Sequence, residues 1–139
     1  MSRVTHVLDT SALLAHYFNE PGAGVVEGLW SDESSRIGIS AVTITELKGR
    51  LQEEITDDAE SEKAAEAYLN ELTICLPVDR ATAELAWQLR QAAPGRLPLV
   101  DAIIAATARA AGAVLVHKDS HMSHIPPGLV RQIALPGEP

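Results

Sequence analysis

The feature that most constrains this chain is the stretch Val4 to Leu14. An apolar and β-branched run closing on Val7-Leu8 stops at Asp9-Thr10-Ser11 and resumes as Ala12-Leu13-Leu14. The first part predicts a central strand buried on both faces. Asp, Thr and Ser are the residues that begin helices, because their side-chain oxygens satisfy free backbone N–H groups of the first turn. Strand, polar corner and helix together form the repeating unit of parallel α/β sheets. Ligands of such sheets sit in the crevice beyond the carboxyl ends of the strands. Asp9 therefore stands where chemistry is usually done, although a plain helix cap would look the same.

The rest of the chain repeats the unit. Ala12 to Phe18 predicts a short helix broken by Asn19-Glu20-Pro21-Gly22, and Ala23 to Ser31 a second with Val25, Val26, Leu29 and Trp30 on its apolar side. Arg36 to Ile39 reads as a strand, and Ser40 as the cap of a helix from Ala41 to about Glu54 that turns Ile44, Leu47, Leu51 and Ile55 inward. The acidic segment after Asp57 leads into a fourth helix ending near Leu72. Thr73 to Val78 is a third strand, and Arg80 to Ala93 a helix with Ala83, Ala86, Trp87 and Leu89 inward. Asp101 to Ala111 is apolar nearly all round, with Gly112 as its left-handed cap. Ala113 to Val116 is then a strand, and Leu129 to Leu135 an edge strand. Strands alternating with helices predict an α/β fold, a three-layer α/β/α sandwich around a mainly parallel sheet.

At 139 residues with 46% hydrophobic content, the chain has the size of one domain over 1–139, with 136–139 as a frayed end. Such a length buries roughly two thirds of its unfolded surface. Cys75, the only cysteine, lies in an apolar run that predicts a packed thiol. It excludes an internal disulfide and points to a reducing cytoplasm. No stretch reads as a signal peptide or a membrane span. A net charge of −8 argues against holding nucleic acid on a general basic surface, since phosphate affinity comes mainly from Lys and Arg. Bound divalent ions would invert that potential locally.

Asp9 and Asp119 each follow an apolar strand, so in a parallel sheet they emerge at one edge. Asp101 opens a helix, and parallel connections place helix N-termini at that edge too. Each acid has an ordinary explanation: Asp9 and Asp101 as caps, Asp119 as a turn acid. Two carboxylates about 4 Å apart repel by roughly 4 kcal/mol at an effective dielectric near 20. A hard divalent cation such as Mg²⁺ or Mn²⁺ removes that conflict. Glu46 lies opposite the face of Ile44, Leu47 and Leu51, so periodicity alone sends it to solvent.

Four segments carry a resemblance: Val7-Leu8-Asp9-Thr10-Ser11, Ser40-Ala41-Val42-Thr43-Ile44-Thr45-Glu46-Leu47, Leu97 to Ala108 around Asp101, and Leu115-Val116-His117-Lys118-Asp119. In order and spacing the chain resembles PIN-domain ribonucleases, in particular the VapC-type toxins of toxin–antitoxin modules. That resemblance implies a usually dimeric endoribonuclease that uses Mg²⁺ or Mn²⁺ and is silenced by a small antitoxin. By it, Asp9 and Asp101 would be the main metal ligands, Glu46 and Asp119 would complete the pocket directly or through water, and the hydroxyl of Ser11, or failing that of Thr10, would assist. It also promotes Glu46, against the helical wheel. The chain departs from the family pattern at His117 and Met122, where the family often has a hydroxyl and an aromatic.

Two other function classes fit parts of the sequence. A catalytically silent binding module of this fold is motivated by the −8 charge and by those departures. A phosphoryl-acceptor domain lacks an acid after Ile37-Gly38-Ile39. His117, His121 and His124 lie in a loop with no spacing that would aim them at one zinc ion. Lys118 and Arg96 are candidates for phosphate contact.

Overall fold

The computed structural model describes residues 3–137. Five strands, β1 (His6–Leu8), β2 (Ile37–Ser40), β3 (Ile74–Leu76), β4 (Val114–His117) and β5 (Gln132–Ala134), form one sheet in the order β3-β2-β1-β4-β5. All four pairings are parallel. Six α-helices connect them: α1 (Thr10–Tyr17), α2 (Ala23–Ser31), α3 (Val42–Glu54), α4 (Asp58–Glu66), α5 (Arg80–Ala92) and α6 (Leu99–Ala111). A π-helical turn, Ala67–Glu71, extends α4, and a 3₁₀ turn, Met122–His124, follows β4.

Strand alternation creates two cores, one on each face of the sheet. Leu8 and Val116 face α1 to α4, where Leu13, Val26, Leu47, Leu51 and Tyr68 pack. Val7 and Leu115 face α5 and α6, where Leu89, Ile104 and Ala105 pack. This is the α/β/α sandwich the alternation predicts. The chain leaves β1 in one direction along the sheet to β2 and β3, and in the other to β4 and β5. The order therefore reverses between β1 and β4, and a crevice opens at their carboxyl ends.

Several local expectations change. Cys75 is exposed, because β3 is a sheet edge with Ile74 43% accessible beside it. Trp87 is 60% exposed and Ala83 is also outward: the buried stripe of α5 is Thr82, Ala86 and Leu89, which keeps the predicted Ala86 and Leu89 and replaces Ala83 and Trp87 by Thr82. Val25 likewise faces out, while Val26 is fully buried. Ser40 closes β2 and caps nothing. Its hydroxyl accepts a 3.1 Å hydrogen bond from Thr107 inside the protein, and α3 starts two residues later without a side-chain cap. Pro136 and Gly137 follow β5 without regular structure; the rest of the expected frayed end, 138–139, lies outside the described residues. Among the described residues, no helix is long and apolar enough to cross a membrane.

Candidate active site

The crevice beyond β1 and β4 is an open cleft of about 290 Å³ whose lining includes Asp9, Glu46, Asp101, Asp119, Ser11 and Arg50. Four elements far apart in sequence supply the acids: the β1–α1 corner, α3, α6 and the loop after β4.

Asp9 is a helix cap that also stands at the crevice. It is the N-cap of α1, accepting the Ala12 N–H at 2.8 Å, and its carboxylate lines the cleft although the residue is 3% exposed. The Ser11 hydroxyl donates to that carboxylate, 2.7 and 2.8 Å from its two oxygens, and accepts the Lys118 N–H at 2.9 Å. Ser11 thereby ties the end of β1 to the chain leaving β4. The Asp9 N–H donates to the Val116 carbonyl at 3.1 Å, which fixes the same junction from the main chain.

Asp101 is not a cap. Pro98, with extended ψ, takes that place, the helix starts at Leu99, and Asp101 lies in its first turn, where the helix dipole favours negative charge. Glu46 is turned into the cleft. The Thr10 hydroxyl donates to its Oε1 at 2.7 Å. The wheel placed it outside because Thr43 was not counted as core. Thr43 is fully buried, so the inward face of α3 is Thr43, Leu47 and Leu51, and Glu46 borders that face beside Thr43.

Asp119 is held by its own loop: its Oδ1 accepts the His121 N–H at 2.7 Å, and its N–H donates to His117 Nδ1 at 3.2 Å. His117 is 1% exposed. With Nδ1 accepting, its proton is on Nε2, which donates to Gln132 Oε1 at 2.9 Å. Burial lowers its pKa and keeps the ring neutral. The departure at His117 is thus an internal strut between Asp119 and β5. His124 Nδ1 meets the Arg96 carbonyl at 3.3 Å and its ring meets that of His121 edge-on, centroids 6.4 Å apart, while His117 is turned to Gln132, so the three rings do not aim at one point.

Burial pushes the Asp9 carboxyl up to about 7; Asp119 and Asp101 add to the rise, and the hydrogen bonds from Ser11 and Ala12 oppose it. Asp101 is pushed up to about 6 by burial, then by Asp119 and, further off, Glu46. These acids are together, desolvated and short of positive charge. The carboxylates of the cleft offer oxygen donors that fit a hard divalent cation, and Asp101, Asp119 and His121 bring one ligand atom each within 4.8 Å of the others. The residues present fit such an ion.

The expected phosphate contacts are elsewhere. Lys118 Nζ lies 3.8 Å from Glu20, and Arg96 lines a separate cleft beside Trp87. Arg50, which sequence reasoning missed, is the arginine that lines the acid cleft, one helical turn beyond Glu46, with its guanidinium 2.9 Å from Glu54. The four-residue spacing from Glu46 was the available signal.

A parallel α/β/α sandwich with carboxylates gathered at its switch point defines a class of protein built around an acidic centre. The family model of the PIN domain matches residues 6–126, and the chain belongs to that family. Among solved structures, it is similar to VapBC2 from Rickettsia felis bound to a DNA fragment from its promoter, with a TM-score of 0.76 and 17% identity over 96% of this chain and 100% of that one. It is similar also to DNA-bound VapBC from Salmonella typhimurium, with a TM-score of 0.74 and 20% identity over 94% of this chain and 98% of that one. A third is VapC20 of Mycobacterium tuberculosis, described as a Sarcin-Ricin loop cleaving toxin, with a TM-score of 0.67 and 21% identity over 86% of this chain and 93% of that one. At these identities the likeness is one of fold. No curated protein matches the sequence significantly.

Proposed function

We propose that the chain is a Mg²⁺- or Mn²⁺-dependent endoribonuclease of VapC type, the toxin of a toxin–antitoxin pair. One observation carries this reading: Asp9, Glu46, Asp101 and Asp119 line a single cleft in which Asp9 and Asp101 resist ionisation. Family membership and the fold shared with VapBC complexes support it.

In this reading Asp9 and Asp101 hold the ion, and Glu46 and Asp119 complete the pocket directly or through water. A divalent ion bound there supplies an activated water and neutralises charge that develops on a phosphodiester. Ser11 fixes the Asp9 carboxylate, and Thr10 fixes Glu46. Arg50 offers the incoming phosphate a positive charge at the rim of an acidic cleft. His117, which motivated the silent-module alternative, serves Asp119 and takes nothing from the cleft.

The likeness to VapBC complexes supports a small antitoxin as partner. A basic or aromatic antitoxin tail suits the acid cleft of a chain with net charge −8. Exposed Trp87 and Leu99, both more than half accessible, support a homodimer.

The test is cleavage of RNA in Mg²⁺ or Mn²⁺ by protein freed of any partner, with light scattering on the same preparation to count subunits. Asp9→Asn and Asp101→Asn should each lower turnover by about 100-fold or more, because each would take from the ion one of its main ligands and with it the chemistry the ion supplies. Undiminished cleavage in either variant contradicts the assignment. A strict monomer at micromolar concentration contradicts the dimer.

A further inference from the structure

Among the described histidines, His121 is the one whose ring faces the acids. One ligand atom from each of Asp101, Asp119 and His121 lies within 4.8 Å of the others. The loop fixes this arrangement. The His121 N–H holds Asp119 Oδ1 at 2.7 Å, and the ring Nδ1 lies 3.3 Å from the same oxygen. The nitrogens of the other rings near this end are engaged elsewhere: His117 with Gln132, and His124, whose ring meets His121 edge-on, with the Arg96 carbonyl. The His121 side chain is 45% exposed, so it can turn toward an ion without breaking the core.

We propose that His121 makes the Asp101–Asp119 end of the cleft a mixed nitrogen–oxygen metal position, which favours a first-row transition ion such as Mn²⁺ over Mg²⁺. This rests on reading the cleft as a metal centre and adds which ion it selects. Mg²⁺ demands near-ideal octahedral oxygen coordination and gives up water reluctantly. Imidazole is a ligand of first-row transition ions rather than of Mg²⁺; Mn²⁺ stands at the weak end of that series, so the preference it gains over Mg²⁺ is a modest one. Replacing one oxygen or water by Nδ1 therefore shifts preference away from Mg²⁺.

The experiment uses the full chain stripped of metal with EDTA, titrated with Mn²⁺ alone and followed by electron paramagnetic resonance, with Mg²⁺ as competitor. Wild type should show nitrogen hyperfine modulation on the bound Mn²⁺. His121→Gln should abolish it and weaken Mn²⁺ binding about tenfold, a loss of the size seen when a partner of a metal site is removed, with little change for Mg²⁺. Thermal melts of His121→Gln and His121→Ala check that both fold. Bound Mn²⁺ without nitrogen modulation, or an unchanged Mn²⁺-to-Mg²⁺ preference in His121→Gln, overturns the proposal and leaves the nuclease reading standing. Failure of wild type to bind Mn²⁺ at all overturns both.

Discussion

Asp9 serves two structural demands that pull its ionisation in opposite directions. As a helix cap with donors from Ala12 and Ser11 it gains by being charged, and as a buried acid among other acids it gains by being neutral. Burial wins, with a carboxyl pushed up to about 7. An unfolded Asp ionises near pH 3.9, so from about pH 4 to about 7 the metal-free folded chain carries a proton that the unfolded chain has lost. Stability therefore falls as pH rises through that window, by on the order of 1 kcal/mol per pH unit, and Asp101, raised to about 6, adds the same sign. Melting curves in EDTA from pH 4.5 to 7.5 should show a wild-type Tm that drops relative to Asp9→Asn. A difference that stays flat or rises contradicts the account. Saturating Mn²⁺, at about 100 times its Kd, should restore about 2.7 kcal/mol.

At the scale of elements, most of the fold was legible because the hydrophobic periods are clear. The α2 bounds agree with expectation at both ends, and α3, α5 and α6 differ from it by one or two residues. What the sequence hid was phase and position in the sheet. Nothing local says that β3 is an edge, so Cys75 read as packed; nothing local distinguishes Ala83 and Trp87 from the true inward stripe of α5. The site was legible to the extent that topology dictates it: strand-end acids must share an edge. Glu46 depended on a buried threonine, a residue type that a hydrophobic wheel ignores. His117 was hidden because its role needs tertiary neighbours, and the spacing of Arg50 from Glu46 becomes a signal only once Glu46 is known to face the cleft. Gly112 was legible, and it sets the turn from α6 into β4 at φ +66, where an added Cβ would meet nothing within 4 Å. Gly112→Ala should therefore destabilise by about 1 kcal/mol from backbone strain alone, with Gly112→Asn costing less. Urea unfolding measures both, and equal stability of all three contradicts a left-handed cap at this position.

At the scale of the whole molecule, the sheet order is what gives the acids to one another. Because β1 and β4 are neighbours and parallel, Asp9 and Asp119 must leave the sheet side by side, and α6, lying on β1, β2 and β4, brings Asp101 to the same end. The two hydrophobic cores hold this frame and place the burden of like charge in one open cleft. That cleft is the centre of the functional reading, and the direct test is anomalous diffraction from crystals of the chain soaked in Mn²⁺. The account predicts a manganese peak within coordination distance of Asp9 and Asp101, which disappears in Asp9→Asn crystals. A cleft that stays without manganese, or a peak bound elsewhere on the protein, would contradict it.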